Sequence, residues 1–182
     1  GFGFVVSHHN QGIVRGSGVL VSADGDNLSR DILDPKVATF YSLEKGDSKQ
    51  SYPSSQMGAI ALLRQSFYDF TYYNESAVEF TDLSMESWKE QMSLPKFFQT
   101  RDKLEILRAQ KIANEFNMSF IYFGSGNEYE AIHSLSTVNP SIVIPINFPE
   151  AYDVSDPYIS RLIPLSQLKH WELAPTNFSI LK

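Results

Sequence analysis

The sequence predicts an α/β protein in which parallel strands alternate with helices. Three observations carry the prediction. Short continuous apolar runs such as Ile142-Val143-Ile144 read as strands with both faces covered. Helical apolar stripes fall between those runs, as parallel crossovers require. The chain has 182 residues, whereas a complete eight-fold barrel usually needs about 250. A small open doubly wound sheet and a segment of a (β/α) barrel both fit that length.

Phe2 to Val6 is a first strand and Val19-Leu20-Val21 a second, closed by Asp24-Gly25-Asp26. Gly12, Gly16 and Gly18 lie between the two and read as a Gly-rich connection. Ala38 to Leu43 is a third short strand. Pro53-Ser54-Ser55 opens a helix that runs to about Tyr73, because a serine hydroxyl accepts from a free N–H of the first turn. Its stripe is Ile60, Leu63, Phe67 and Phe70. The tyrosines between them fit an exposed face as well as they fit a sugar platform. Met85 to Met92 is a second helix.

Lys96 to Thr100 is a short run after Pro95. Asp102 with Glu105 is a candidate capping box, leading a stripe of Leu104, Leu107, Ala113 and Phe116. Ser119 to Phe123 is a strand closed by Gly124-Ser125-Gly126. Glu128 to Val138 is a helix, Ile142 to Ile144 a strand, and Leu165 to Leu173 a helix stopped by Pro175.

Composition narrows the function. With 15 basic and 21 acidic side chains the formal charge is −6, which argues against nucleic-acid binding through a basic face. No apolar run reaches the roughly eighteen residues of a membrane span. There is no cysteine, so disulfides, thiolate metal sites and cysteine nucleophiles are excluded. The opening residues carry no basic region and no initiating Met, as expected of a processed chain or a fragment.

Two places invite chemistry on residue type alone. His8 and His9 end the first strand, and imidazole is a common metal ligand. Adjacent strand residues point to opposite faces, so a shared ion needs a bend there. The Gly124-Ser125-Gly126 turn resembles an anion cradle at a helix start. However, Tyr129 stands where the dinucleotide fingerprint needs glycine, and Glu128 puts negative charge where a phosphate would sit. The loop Asn147-Phe148-Pro149-Glu150 follows a strand directly, where α/β folds keep ligands.

Several runs carry a family resemblance. They are Gly12-Ile13-Val14-Arg15-Gly16-Ser17-Gly18, the stretch from Tyr52 to Gln65, Asp102 to Ala109, Pro145 to Asp153, and Leu168 to Asn177. Together they resemble large amidohydrolase-superfamily proteins of Bacteroidetes-type bacteria, the imidazolonepropionase-like members. The resemblance implies that residues 1–182 form a single segment of a TIM-like barrel, internal to a longer protein. It implies a hydrolase of non-peptide C–N bonds, in which a zinc-like divalent metal activates water. It also suggests an exported protein, periplasmic or secreted.

The family's ligands are an early His-X-His pair, a mid-barrel Lys or His, two later His and a late Asp. On this alignment the pair lies before Gly1 and the Asp after Lys182. The strand ends between them show Gln99, Asn127, Glu128 and Asn147 instead. No metal ligand is therefore assigned to this segment. His8, Gln99, Asn127, Glu128 and Asn147 are its ligand-binding candidates. The expected partners are a small-molecule ligand or substrate and the rest of the parent chain, with no nucleic acid and no membrane span. The alternative function is a non-catalytic barrel-derived module that binds a ligand or a partner.

Overall fold

A computed structural model describes residues 3–23, 28–76, 80–153 and 155–182, with the side chains of residues 28 and 29 excepted. The expected start at Phe2 and the Asp24-Gly25-Asp26 closure lie outside the described residues. The chain packs as two compact units. The first is Gly1–Gln99 with Ile112–Ile121, and the second is Thr100–Lys111 with Tyr122–Lys182.

The first unit begins with β1 (Phe4–Ser7), β2 (Val14–Ser22), a four-residue helix α1 (Leu28–Asp31) and β3 (Ile32–Ser42). These three strands form an antiparallel meander, with Ser7 opposite Val19 and Gly16 opposite Phe40. This corrects the expectation of parallel strands throughout. A parallel crossover needs about a dozen residues or more, and neither connection here is that long.

A second correction concerns the glycines. Gly16 and Gly18 do not connect strands but lie inside β2. Gly16 has φ +76° and sits at an irregularity in the pairing with β3, where a residue without Cβ adopts the left-handed conformation cheaply. A Cβ on Gly18 would lie 2.5 Å from Phe40 Cε2, so the ring's approach itself requires glycine there.

The parallel step follows. Helices α2 (Gln56–Glu75) and α3 (Leu83–Gln91) separate β3 from β4 (Lys96–Gln99). β4 pairs parallel with β3, Phe40 facing Phe97 and Ser42 facing Gln99. Ser55 caps α2, its hydroxyl accepting from Gly58 N at 3.2 Å. Ala59, Leu63, Phe67 and Phe70 form the buried stripe, while Tyr68 and Tyr72 are exposed. Asp82 caps α3 by accepting from Ser84 N and Met85 N.

The core of this unit is aromatic. Phe67 meets Trp88 and Phe116 at 5.4 and 5.0 Å between ring centroids, and Phe120 meets Tyr41 and Phe98 at 5.4 and 5.1 Å. Such tilted pairs contribute about 0.5–1.5 kcal/mol each beyond the area they bury.

The second unit holds β5 (Ile121–Phe123) and β6 (Ser141–Val143) as neighbouring strands, except that Ile121 counts with the first unit. Gly124 N donates to Val143 O at 2.9 Å. Between β5 and β6 lie a 3-10 turn (Glu128–Ala131) and α5 (Ile132–Val138), where one continuous helix is expected. After β6 come α6 (Pro157–Ser160), α7 (Leu165–Leu173), a second 3-10 turn (Ala174–Thr176) and α8 (Asn177–Leu181).

Helix α4 (Lys103–Glu115) contributes residues to both units. Asp102 Oδ1 caps it by accepting from Leu104 N and Glu105 N at 2.8 and 2.9 Å. The reciprocal half of the expected box is altered. Glu105, fully buried, accepts from the backbone N and the side chain of Arg101. The buried stripe is Ile106, Ala109, Ile112 and Ala113, and Leu104 is exposed. The expected stripe is thus displaced, because burial of Glu105 turns the helix away from the phase that leucines alone would set.

Candidate functional site

The most organised polar group of the first unit lies where β3 and β4 end. These strands run parallel, so Ser42 and Gln99 close them side by side. β2 runs against β3, which brings its first residues, Val14 and Arg15, to the same end. In α/β folds this end of a parallel pair is where ligands bind.

Strand alternation sorts the side chains by face. Tyr41 and Phe98 point to the helices, and both are buried against the aromatic core. Phe40 and Phe97 point the other way and stack at 5.5 Å. The ring of His8 lies on Phe40, 4.0 Å away and within 9° of parallel. His8 Nδ1 is 3.0 Å from His9 O. A carbonyl only accepts, so Nδ1 is the donor in this contact.

Arg15 completes the group and was not among the residues the sequence singled out. It is 7% exposed. Its Nε donates to Gly12 O and its Nη2 to Glu44 O, each at 3.3 Å, and its Nη1 donates to the side-chain oxygen of Gln99. Burial pushes the guanidinium pKa down, while nearby Glu44 and Asp47 push it back up. Asp47 is held by Asn10, whose Nδ2 donates to it at 3.2 Å. The one sequence signal for Arg15 is a charged residue set among glycines in the run from Gly12 to Gly18. Its partner Gln99 lies 84 positions away.

The second unit holds the other candidates. Glu128 is fully buried. Its carboxyl accepts from Ser125 N at 2.5 Å, from Gly126 N at 3.1 and 3.2 Å, and from Asn177 Nδ2 at 2.7 Å. The turn that reads as an anion cradle is therefore filled by the chain's own carboxyl, which corrects the phosphate-site reading. Asn127 is half-buried, and its Oδ1 accepts from Ser125 Oγ at 2.7 Å. Asn147 is exposed on the loop after β6. The structure thus joins Gln99 to Arg15 in one unit and Asn127 to Glu128 through Ser125 in the other.

A cleft of about 450 Å³ opens on the helix-covered face of the first unit, lined by Val14, Thr39, Tyr41, Ser87, Trp88 and Gln91. Its polar wall is closed on itself, since Trp88 Nε1 donates to Tyr41 Oη at 3.1 Å and Gln91 Nε2 to Ser87 Oγ at 2.9 Å. Among the described residues, no group of three or more His, Asp or Glu side chains could hold a metal ion. The donor set among these residues does not fit the divalent metal that the sequence resemblance implies. Among the described residues no helix is long and apolar enough to cross a membrane.

No family model matches the sequence, and no curated protein matches it. A solved structure does match: the amidohydrolase from Thermotoga maritima MSB8, with a TM-score of 0.66 and 17% identity. The match covers 96% of this chain and 49% of that one, so the chain spans about half the length of that protein. At this identity the likeness shows the fold: a mixed α/β arrangement shared with part of an amidohydrolase.

Proposed function

We propose that the chain is a segment of an amidohydrolase-type hydrolase acting on non-peptide C–N bonds, of the imidazolonepropionase-like kind. The likeness over 96% of the chain to an amidohydrolase fold carries this reading. On it, a zinc-like ion and its ligands belong to the rest of a longer parent chain. The segment supplies the strand-end group of His8, Arg15 and Gln99, which holds and orients the substrate. In the second unit, Asn127 and Asn147 follow the strands β5 and β6 and are ligand-binding candidates of that unit by itself. Glu128 acts through the turn it fills. An exported location is part of the same reading and rests on the sequence resemblance.

The test is expression of the whole open reading frame that contains this chain, equilibrated with zinc and assayed on a panel of cyclic amides and imides. Hydrolysis that falls when Arg15 is replaced by lysine supports the reading. A folded, zinc-loaded parent without hydrolysis of any panel member overturns it.

A second reading has its own observation. The strand ends present an amide and an aromatic ring, Gln99 beside the half-buried Phe97 on β4, a surface suited to holding a ligand without chemistry on it. Under that reading the segment is a non-catalytic barrel-derived binding module. Zinc-independent ligand binding by the parent, with no turnover, is its expected result.

A further inference from the structure

We propose that the cleft of the first unit between α3 and the strands β2 and β3 binds a small uncharged phenol. The cleft lies on the helix-covered face of the sheet, apart from the strand-end group. The proposal therefore stands independently of the hydrolase reading.

Size and walls set the first limits. At about 450 Å³ the cleft has the volume of a small-molecule pocket. No charged side chain lines it, so an ion would lose hydration there without gaining a partner. Val14 and Leu83 give apolar walls and Trp88 an aromatic one. Trp88 already meets Phe67 and Phe70 at 5.4 and 5.2 Å between ring centroids. A further ring beside it joins an existing aromatic cluster. Gly16 leaves part of the lining bare, since a Cβ built on it would meet nothing within 4 Å. A flat ring can lie there against the backbone.

Hydrogen-bonding capacity selects the group that the ring carries. The bonds that close the polar wall do not exhaust it. Gln91 is 8% exposed, and its Nε2 donates to Ser87 Oγ at 2.9 Å. Its Oε1 has no donor among the described residues. No fully enclosed polar side-chain atom among them lacks a partner, so Oε1 opens outward, and the cleft is the space that Gln91 lines. Ser87 Oγ accepts from Gln91 and keeps its own proton to donate. An acceptor and a donor thus stand together on one turn of α3. One hydroxyl serves both, its oxygen accepting from Ser87 and its proton going to Gln91 Oε1. A carboxylate has no proton to give, and a bare hydrocarbon ring satisfies neither group.

The experiment uses the whole 182-residue chain and follows the two indole N–H signals by NMR during titration with p-cresol. Toluene lacks the hydroxyl, p-toluate adds a charge, and p-toluamide replaces the hydroxyl with an amide. The expected result is a saturable shift of the Trp88 signal with p-cresol. Trp171, in the second unit, should stay unmoved. Toluene should bind about fivefold more weakly, the worth of one hydrogen bond, and p-toluate more weakly still. Gln91→Leu should abolish the preference for p-cresol over toluene. Leu83 is 81% exposed, so Leu83→Trp should leave the fold intact while filling the mouth of the cleft and removing the Trp88 response. Equal affinity for p-cresol and toluene overturns the proposal, as does an unchanged response in Leu83→Trp. Binding of p-toluate or p-toluamide as tight as that of p-cresol overturns the phenol assignment. No turnover is read, so these outcomes are separate from those of the hydrolysis assay.

Discussion

Glu128 and Asn177 are 49 positions apart, yet Asn177 Nδ2 donates to Glu128 Oε2 at 2.7 Å with both side chains almost wholly buried. Asn177 uses its other end as well, its Oδ1 accepting from Tyr129 N at 2.9 Å. One amide therefore fastens the start of α8 to both the carboxyl and the backbone of the turn after β5. Burial leaves no water to replace these bonds when one partner is removed.

Glu128→Ala should cost about 3 kcal/mol, because it leaves several buried donors without acceptors. Glu128→Gln keeps the shape and should cost about 1–2 kcal/mol. Asn177→Ala should couple with Glu128→Ala by at least about 0.5 kcal/mol in a double-mutant cycle. Urea unfolding of the parent, the three single variants and the double variant is the check. Additive losses would show that the two residues act separately.

Alkaline pH should weaken the fold through tyrosine. Burial raises the pKa of Tyr41 and of Tyr122 above the ordinary value of 10.0. Hydrogen bonds from Thr39 and Trp88 only partly offset this for Tyr41. The unfolded chain loses these phenolic protons near the ordinary value while the folded chain keeps them. Stability contributed by the neutral phenols is thus fully present below pH 10 and falls as pH rises toward the folded values. Absorbance of tyrosinate should show two of the nine tyrosines ionising only as the protein unfolds. Ionisation of all nine in the folded protein would contradict it.

Gly18→Ala should destabilise the first unit by about 1–3 kcal/mol, the usual range for overpacking. The added methyl would meet Phe40 Cε2 at 2.5 Å, with Ser7 O and Val6 Cγ1 both at 3.2 Å. The ring must then shift, and the stack with His8 shifts with it. Loss of the ring-current shift on the His8 protons would report this. Phe40→Leu in the same chain should recover part of the stability, and a Gly18→Ala protein as stable as the parent would refute the argument.

The β1 edge should make the isolated chain associate. Phe4, Val5 and Val6 are 64%, 48% and 45% exposed, consecutive residues and hence on both faces of the strand. Unpaired apolar edges recruit other strands. Light scattering should rise with concentration in the micromolar range, and Val5→Lys should suppress it. A clean monomer across that range would point to an edge protected in some other way.

What the sequence made legible follows a physical division. Helix α2 could be read because its cap and its stripe are local: Ser55 and the series Leu63, Phe67, Phe70 lie within four turns. α7 was legible to the residue, because Pro175 stops it. The start of the chain was not. Glycine inside a strand looks the same in sequence as glycine in a connection, and only the Phe40 ring over Gly18 tells them apart. Helix α4 was misphased because no periodicity scan places a glutamate in the core. At the strand ends Gln99 and His8 were visible as polar residues closing apolar runs. Arg15 was not, because its meaning depends on a partner from a distant strand.

The meander at the start of the chain sets an order of assembly. β1, β2 and β3 pair as successive hairpins, each closing a short loop at small entropic cost. β4 can pair with β3 only after α2 and α3 have folded back between them, and such non-local pairing is slow. Phe40 and the carbonyls that hold Arg15 should therefore be in place before Gln99 arrives. Amides of β2 and β3 should gain protection earlier than those of β4 in pulse-labelled refolding. The hydrogen bond that joins Arg15 to Gln99 across 84 positions would then be among the last to close at this end of the sheet.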